Sequence, residues 1–208
     1  MNPLLGWWEQ LTGARCPGCG APLSQPLLCS SCRAALVPRH LPHFVYLGDY
    51  KRLGRLPKAI KYQGQRRLAH YLGELLALGV RQAEWGLDGV TAVPTLPHRQ
   101  IRRGYNQAEL LAQALAQTLK VPYQRVLRRT SWETSQTQKT LRQRLLLAET
   151  TFQPARRVKG LWLLVDDVVT TGATFERARK ALLEAGAAKV YGAAIAVKSP
   201  HDLSRYSL

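Results

Sequence analysis

The stretch LWLLVDDVVTTGAT, residues 161–174, joins three kinds of sequence in a fixed order. Leu161 to Val165 is an unbroken apolar run, the length of one buried strand of a parallel sheet. Asp166 and Asp167 stand where that strand is expected to leave the core. Thr170, Thr171, Gly172, Ala173 and Thr174 then make a small, hydroxyl-rich loop. Behind the loop, FERARKALLEAG reads as a helix, with Phe175, Ala178, Ala181, Leu182 and Ala185 on one face and Gly186 as its stop. A strand that ends in small residues at a helix N-terminus offers free backbone N–H groups and a positive dipole end, which is an anion site. Gly172 lets the backbone approach a phosphate closely, and the threonine hydroxyls add donors. Carboxylates repel phosphate, so Asp166 and Asp167 must answer something else, such as sugar hydroxyls or a metal ion. A buried strand with capping acids and a helix N-cap at Thr174 would explain each residue singly but not their order. No Gly-Lys-Ser/Thr is present, which excludes a Walker loop.

Upstream, residues 88–95 (DGVTAVPT) read as a second buried strand ending at Val93-Pro94. The following LPHRQIRRGYNQ packs His98, Arg99, Arg102 and Arg103 into what reads as a short loop at that strand's carboxyl end. Ligands of open α/β sheets bind beyond the carboxyl ends of strands, so this arginine loop and the TTGAT loop are expected to share a cleft. Arginine suits a diphosphate because its planar fork donates in pairs. After Gly104, residues 107–119 carry a helical pattern, and Lys189–Val197 reads as a last strand. Nearer the N-terminus, Phe44–Leu47 reads as a short strand. Two helices broken around Gln63-Gly64 follow, the second with Leu68, Tyr71, Leu72, Leu75 and Leu76 on its apolar face. Lys58, Lys61, Arg66 and Arg67 read by default as a solvated basic face, with a ligand-facing role for Lys61 as the lesser reading. Val126-Leu127 is a short expected strand. The polar segment after it, up to Phe152, is expected to be a mobile lid.

All four cysteines fall between Cys16 and Cys32, as two CxxC pairs separated by nine residues. Each pair lets two thiolates converge on one ion, so Cys16, Cys19, Cys29 and Cys32 complete a tetrahedral structural Zn²⁺ site; two disulfides or a redox pair are the alternative. The loop is too small for a core of its own, so its stability is expected to come from the metal, separately from the body. This divides the chain into an N-terminal helix and zinc finger (residues 1–43) and a main domain (residues 44–208). Leu4, Trp7, Trp8 and Leu11 fit a short helix that docks its aromatics on the body. The chain has no 18-residue apolar run, and its first residues lack the pattern of a secretory signal. A cytoplasmic location is therefore expected.

Across 208 residues, 30 Lys and Arg face 13 Asp and Glu, a net charge of +17. Such a surface attracts polyanions: nucleic acid, anionic lipid or multiply phosphorylated ligands. From Arg99 to Arg144 there are ten Lys and Arg against two Glu, about half of the whole excess.

Strand, paired acids, two hydrophobics and TTGAT together resemble the phosphoribosyl pyrophosphate (PRPP) motif of type I phosphoribosyltransferases. The four-cysteine finger, Lys61-Tyr62-x-Gly64, VPTLPHRQIRRGYNQA, and Gln136-Thr137…Arg144 ahead of Phe152 extend the likeness. With these, the chain resembles the ComF/GntX family of phosphoribosyltransferase-like proteins nearly end to end. The resemblance implies a type I phosphoribosyltransferase fold, an open and mainly parallel α/β sheet flanked by helices. It implies that Asp166 and Asp167 take the ribose hydroxyls, and that Thr170, Thr171, Gly172, Ala173 and Thr174 take the 5′-phosphate. Thr95, Arg99, Arg102, Arg103 and Tyr105 would belong to the pyrophosphate loop, and Thr134–Arg144 would close over the site. Mg²⁺ would accompany PRPP.

The family is also associated with natural competence, and this sets two readings side by side. In one, the protein serves the uptake and handling of transforming single-stranded DNA, alongside other DNA-uptake proteins. Arg128, Arg129 and Arg142 are then the expected nucleic-acid contacts. In the other, it transfers ribose-5-phosphate from PRPP to a nitrogen nucleophile and has no DNA role. Arg103 would then stabilise the leaving pyrophosphate, with Asp167 as the nearby base or cation-stabilising group.

Overall fold

Seven strands carry the fold: β1 (Arg39–Leu41), β2 (Phe44–Asp49), β3 (Gly89–Ala92), β4 (Leu127–Arg129), β5 (Phe152–Pro154), β6 (Leu161–Val169) and β7 (Lys189–Val197). They belong to a computed structural model that describes residues 14–23, 25–129, 152–200 and Leu203. The Trp7-Trp8 helix, the Thr134–Arg144 loop and Arg142 lie outside the described residues. The main sheet has the order β1-β2-β7-β6-β3. It is parallel except for β1, which runs antiparallel along the edge at β2. β4 and β5 form a separate antiparallel pair. The sheet thus begins at Arg39, ahead of the expected boundary at residue 43.

Side-chain alternation along β6 divides the core into two layers. Leu163 and Val165 face one side, together with Leu68, Leu72 and Leu76 of α4 (Arg66–Gln82) and Leu111 and Leu115 of α6 (Gln107–Leu119). Trp162 and Leu164 face the other, with Phe175, Ala178 and Leu182 of α7 (Ala173–Glu184). A parallel sheet covered on both faces needs near-continuous apolar strands, and β7 (KVYGAAIAV) supplies one. Small residues set the spacing of the layers. A Cβ on Gly73 of α4 would come within 2.7 Å of the Leu111 carbonyl oxygen, so α4 and α6 pack backbone to backbone there. A Cβ on Gly192 of β7 would come within 2.2 Å of the Phe44 ring, which meets Phe175 edge to face at 5.2 Å.

The finger joins this core. Cys16, Leu28 and Leu36 share one buried cluster with Leu47 of β2, Leu53 of α2 (Tyr50–Leu53) and Leu56 of α3 (Arg55–Gln63). The second CxxC pair frames α1 (Ser30–Ala34), for which Cys29 is the N-cap residue.

Two elements differ from expectation. β6 does not stop at Val165: it continues beside β7 to Val169, so Asp166 and Asp167 lie within a strand. The cause is β7, whose pairing partners extend to Val197. The arginine segment is not a loop but the helix α5 (Pro97–Arg103), which starts on a proline and stops at Gly104 with φ 74°.

Candidate functional site

The four cysteine thiols converge. Their sulfurs lie within 4.8 Å of one another, and none is in a disulfide. The Sγ atoms of Cys19 and Cys29 are 3.6 Å apart. Zn–S bonds of about 2.3 Å in a tetrahedron place sulfurs about 3.8 Å apart, so this spacing fits zinc. Gly18 is required here, because a Cβ would sit 2.7 Å from the Cys32 sulfur. The protonation states show the same fit. Burial opposes ionisation of Cys16, but backbone donors at Cys29, Cys19 and Gly18 and the Cys32 thiol outweigh it and bring Cys16 down to about 6. Burial, together with the other three cysteines, pushes Cys32 far up. A cluster in which one thiolate holds off the ionisation of its neighbour is completed by a cation.

The second site is built where strands end. β3 pairs with β6 only through Ala92 opposite Val165, whereas β6 runs on for four more residues. This leaves a crevice beside Asp166 and Asp167, at the carboxyl ends where open α/β sheets bind ligands. Asn106 fixes its floor: the side chain donates to the Val93 carbonyl at 3.0 Å and accepts from the Ala108 N–H, tying the end of β3 to the start of α6. The resulting cavity of about 150 Å³ gathers Thr95, Arg99, Asp166, Asp167, Thr170, Gly172 and Thr174 on its walls. Thr171 and Ala173 are exposed on the same turn but do not line it. Gly172, at φ 79°, is the N-cap of α7 and no side chain caps that end. The first-turn N–H groups are therefore open to water or a ligand, and Thr174 is not the cap.

Arg102, Arg103 and Tyr105 sit apart from this cavity, in a neighbouring hollow with Lys61, Tyr62 and Gly64. Arg128 lines a third hollow with Tyr123, Arg125 and Glu109. Arg129 lines the acid–threonine cavity itself, its guanidinium 5.2 Å from the centre of the Phe152 ring. Burial and the charges of Arg99 and Arg177 work against the charge on Arg129, while Asp166 favours it. Lys61, for which a ligand-facing role is the lesser reading of the sequence, also lines the cavity, as do Asn106, Gln107 and Phe175, which the sequence does not single out as ligand residues. For Lys61 the available signal is its place in the last turn of α3, three residues before Gly64, where the helix ends with φ 68°.

The two acids differ. Asp167 is buried, whereas Asp166 is half-buried and accepts the Asp167 N–H at 2.8 Å. Burial and then the Asp167 carboxylate hold the Asp166 carboxyl well above the ordinary range, against a weaker opposing pull from Lys61. A carboxyl raised in the fold keeps its proton after the unfolded chain has lost its own. Its contribution therefore falls as pH rises through the interval from about 4 upward. Asp166→Asn should accordingly raise the melting temperature of the ligand-free protein by a few degrees at neutral pH, with the gain vanishing below about pH 4. Thermal melts across pH check this, and an equal gain at every pH would show that charge is not the cause.

Comparison with known proteins follows the same lines. The phosphoribosyl transferase domain model matches residues 106–205. DNA utilization protein YhgH of Salmonella typhimurium is 34% identical over 184 residues, covering 84% of this chain and 80% of that protein. Competence protein F of Haemophilus influenzae is 32% identical over 161 residues, covering 70% of this chain and 69% of that one. Competence protein ComFC of Bacillus subtilis is 28% identical over 190 residues, covering 86% and 76%. With a mostly parallel α/β sheet of phosphoribosyltransferase type behind a four-cysteine cluster, the chain belongs to the ComF family of phosphoribosyltransferase-like proteins.

Proposed function

We propose that this protein binds PRPP in the crevice beside β6 and serves natural competence, in the handling of transforming single-stranded DNA with other DNA-uptake proteins. The observation that carries the PRPP reading is the gathering of acids, threonine loop and arginine in one cavity. Asp166 and Asp167 accept the ribose 2′- and 3′-hydroxyls, and the turn at Thr170–Thr174 donates to the 5′-phosphate from backbone and hydroxyl groups. Arg99 and Thr95 face the pyrophosphate from the opposite wall, joined by Arg129, and Arg102, Arg103 and Tyr105 stand behind them on α5 and its C-terminal turn. Asp166 and Asp167 also suit a divalent cation, because burial and the Asp167 carboxylate oppose the ionisation of Asp166 and a cation beside it would relieve that. Asp166 and Asp167 would hold such a cation, and Mg²⁺ bound there would supply charge neutralisation to the pyrophosphate. The DNA part of the reading is supported by the names of the relatives and by the +17 charge.

A second reading, ribose-5-phosphate transfer to a nitrogen nucleophile, is favoured by one feature. A hollow of about 240 Å³ shares Pro94, Thr95, Asn106 and Arg129 with the crevice and gives an acceptor somewhere to lie. In that reading Asp167 is the nearby base or cation-stabilising group and Arg103 helps to stabilise the leaving group.

Calorimetric titration of the protein with PRPP in the presence of Mg²⁺ tests the shared core of both readings, and saturable binding at one site per chain is expected. No heat and no thermal shift with PRPP would sink it. Pyrophosphate release on addition of nitrogen acceptors then separates turnover from binding alone.

A further inference from the structure

Two hollows outside the crevice lie along α3, and among the described residues neither is lined by a carboxylate. The first, of about 310 Å³, is walled by Lys61, Tyr62, Arg102, Arg103 and Tyr105. The second, of about 460 Å³, runs between α3 and the finger, with Arg15, Arg55, Lys58 and Tyr62 around it and Cys16 on its wall. Tyr62 belongs to both hollows, and Lys61 belongs to the first and to the crevice. The three spaces are therefore consecutive: crevice, Lys61, Tyr62, finger.

Their chemistry is uniform. Six cations line the two hollows, three in each: Lys61, Arg102 and Arg103, then Arg15, Arg55 and Lys58. Two aromatic rings stand among them. Tyr62 is 66% exposed, on a helix whose Leu56, Ala59 and Ile60 are buried. Arg103 lies 5.4 Å and Lys61 6.0 Å from the centre of its ring. The Tyr105 ring carries Arg66 at 4.9 Å, and its hydroxyl donates to the Ile60 carbonyl, which fixes its orientation. Among the described residues the Arg103 Nε is buried without a hydrogen-bond partner, while its Nη1 donates to Gln107 Oε1 at 3.5 Å. A merely solvated basic face spreads its cations and mixes them with acids. Here like charges crowd around rings that water solvates poorly. A polyanion that also carries flat apolar groups answers both, with phosphates on the cations and bases on the rings.

We propose that this run of hollows is the path of a single-stranded nucleic acid, with Tyr62 as a stacking platform between two successive nucleotide positions. The inference rests on the DNA-handling reading above, and it moves the strand to the face made by α3 and the finger. Arg129 lines the crevice and the hollow beside it, and Arg128 lines that same hollow, so neither stands on this path. A strand on α3 would reach the PRPP crevice at Lys61, which touches both.

The test uses the full chain and a fluorescein-labelled oligo-dT, read by anisotropy over a series of salt concentrations. If all six cations engage phosphates, log K should fall against log salt with a slope of about −4, from about −0.7 for each. Tyr62→Ala should weaken binding about tenfold or more while Tyr62→Phe keeps it, since a ring stacks without its hydroxyl. Arg55→Ala with Lys58→Ala should flatten the slope by about 1.4 and leave PRPP affinity unchanged in calorimetry. If the wild type binds the oligonucleotide and these variants match it in affinity and slope, the path is overturned and the strand lies elsewhere, with the DNA reading intact. Equal losses in Tyr62→Ala and Tyr62→Phe would overturn the stacking role. If the wild type fails to bind even at about 50 mM salt, where phosphate contacts are strong, the path and the DNA reading fall together.

Discussion

Cys16→Ser should unfold more than the finger. A ligand of a structural zinc site gives up part of a binding free energy of about 10–16 kcal/mol in isolated fingers, and here that energy holds packing in place as well. Cys16 is 2% exposed and belongs to the cluster formed by Leu28, Leu36, Leu47, Leu53 and Leu56. The sequence alone suggests a finger that loosens by itself while the body stays intact. The shared cluster argues otherwise, because a loosened finger draws Leu28 and Leu36 out of contact with β2 and α3. The expected loss is therefore about 4 kcal/mol or more, in the range reserved for broken metal sites and large cavities. Thermal melts should show one transition, displaced downward as a whole, both for Cys16→Ser and for wild type treated with a strong chelator. Elemental analysis should find one Zn²⁺ per chain in the untreated protein. A chelated sample whose main transition is unmoved would separate finger from body, and metal-free protein purified under reducing conditions would remove the zinc site itself.

Replacing both acids should abolish most PRPP binding while leaving the fold intact. Hydrogen bonds to charged groups contribute about 1.5–3 kcal/mol each, so Asp166→Asn with Asp167→Asn should lower affinity about 100-fold or more. The fold should survive because asparagine keeps the Oδ1 that accepts the Asp167 N–H, and because β7 holds this part of β6 from the other side. The pair also separates causes. Asp166 titrates upward under the influence of burial and of Asp167, so removing both charges relieves a repulsion that the ligand-free protein carries. A variant that melts higher and binds PRPP weakly is thus the signature of acids kept for the ligand. Unchanged PRPP affinity in calorimetry would remove them from the site.

Local pattern and long-range convergence account for what could and could not be read in the chain. β7 and α6 lie at the positions their patterns indicate, since a continuous apolar run and a 3.6-residue period are both local properties. α5 is hidden because none of its residues is buried: PHRQIRR shows no apolar stripe, and only the proline at its start and the glycine after it mark a helix. The end of β6 is hidden because the apolar run marks only Leu161–Val165, whereas the last residues of the strand are held by pairing with β7. Convergence was harder still. Nothing local distinguishes Arg128 from Arg129, yet only Arg129 reaches the cavity that holds Asp166. Lys61 reads like its basic neighbours until α3 is set against the sheet. The cysteine spacing was legible because four ligands in two short pairs constrain one another without the rest of the chain.

β6 outruns β3 by four residues, and this bears on the entropy of binding. Ordering the backbone of a residue costs about 1–2 kcal/mol, and a loop that must settle around its ligand meets that cost during association. Asp166 and Asp167 are not in such a loop. Their backbone is fixed when the sheet forms, by β7 on one side and by the Asp166 carboxylate over the Asp167 N–H on the other. The cost is met at folding, and the acids stand ready before any sugar arrives. An open sheet edge, elsewhere a hazard of unpaired groups, here becomes a preorganised receptor.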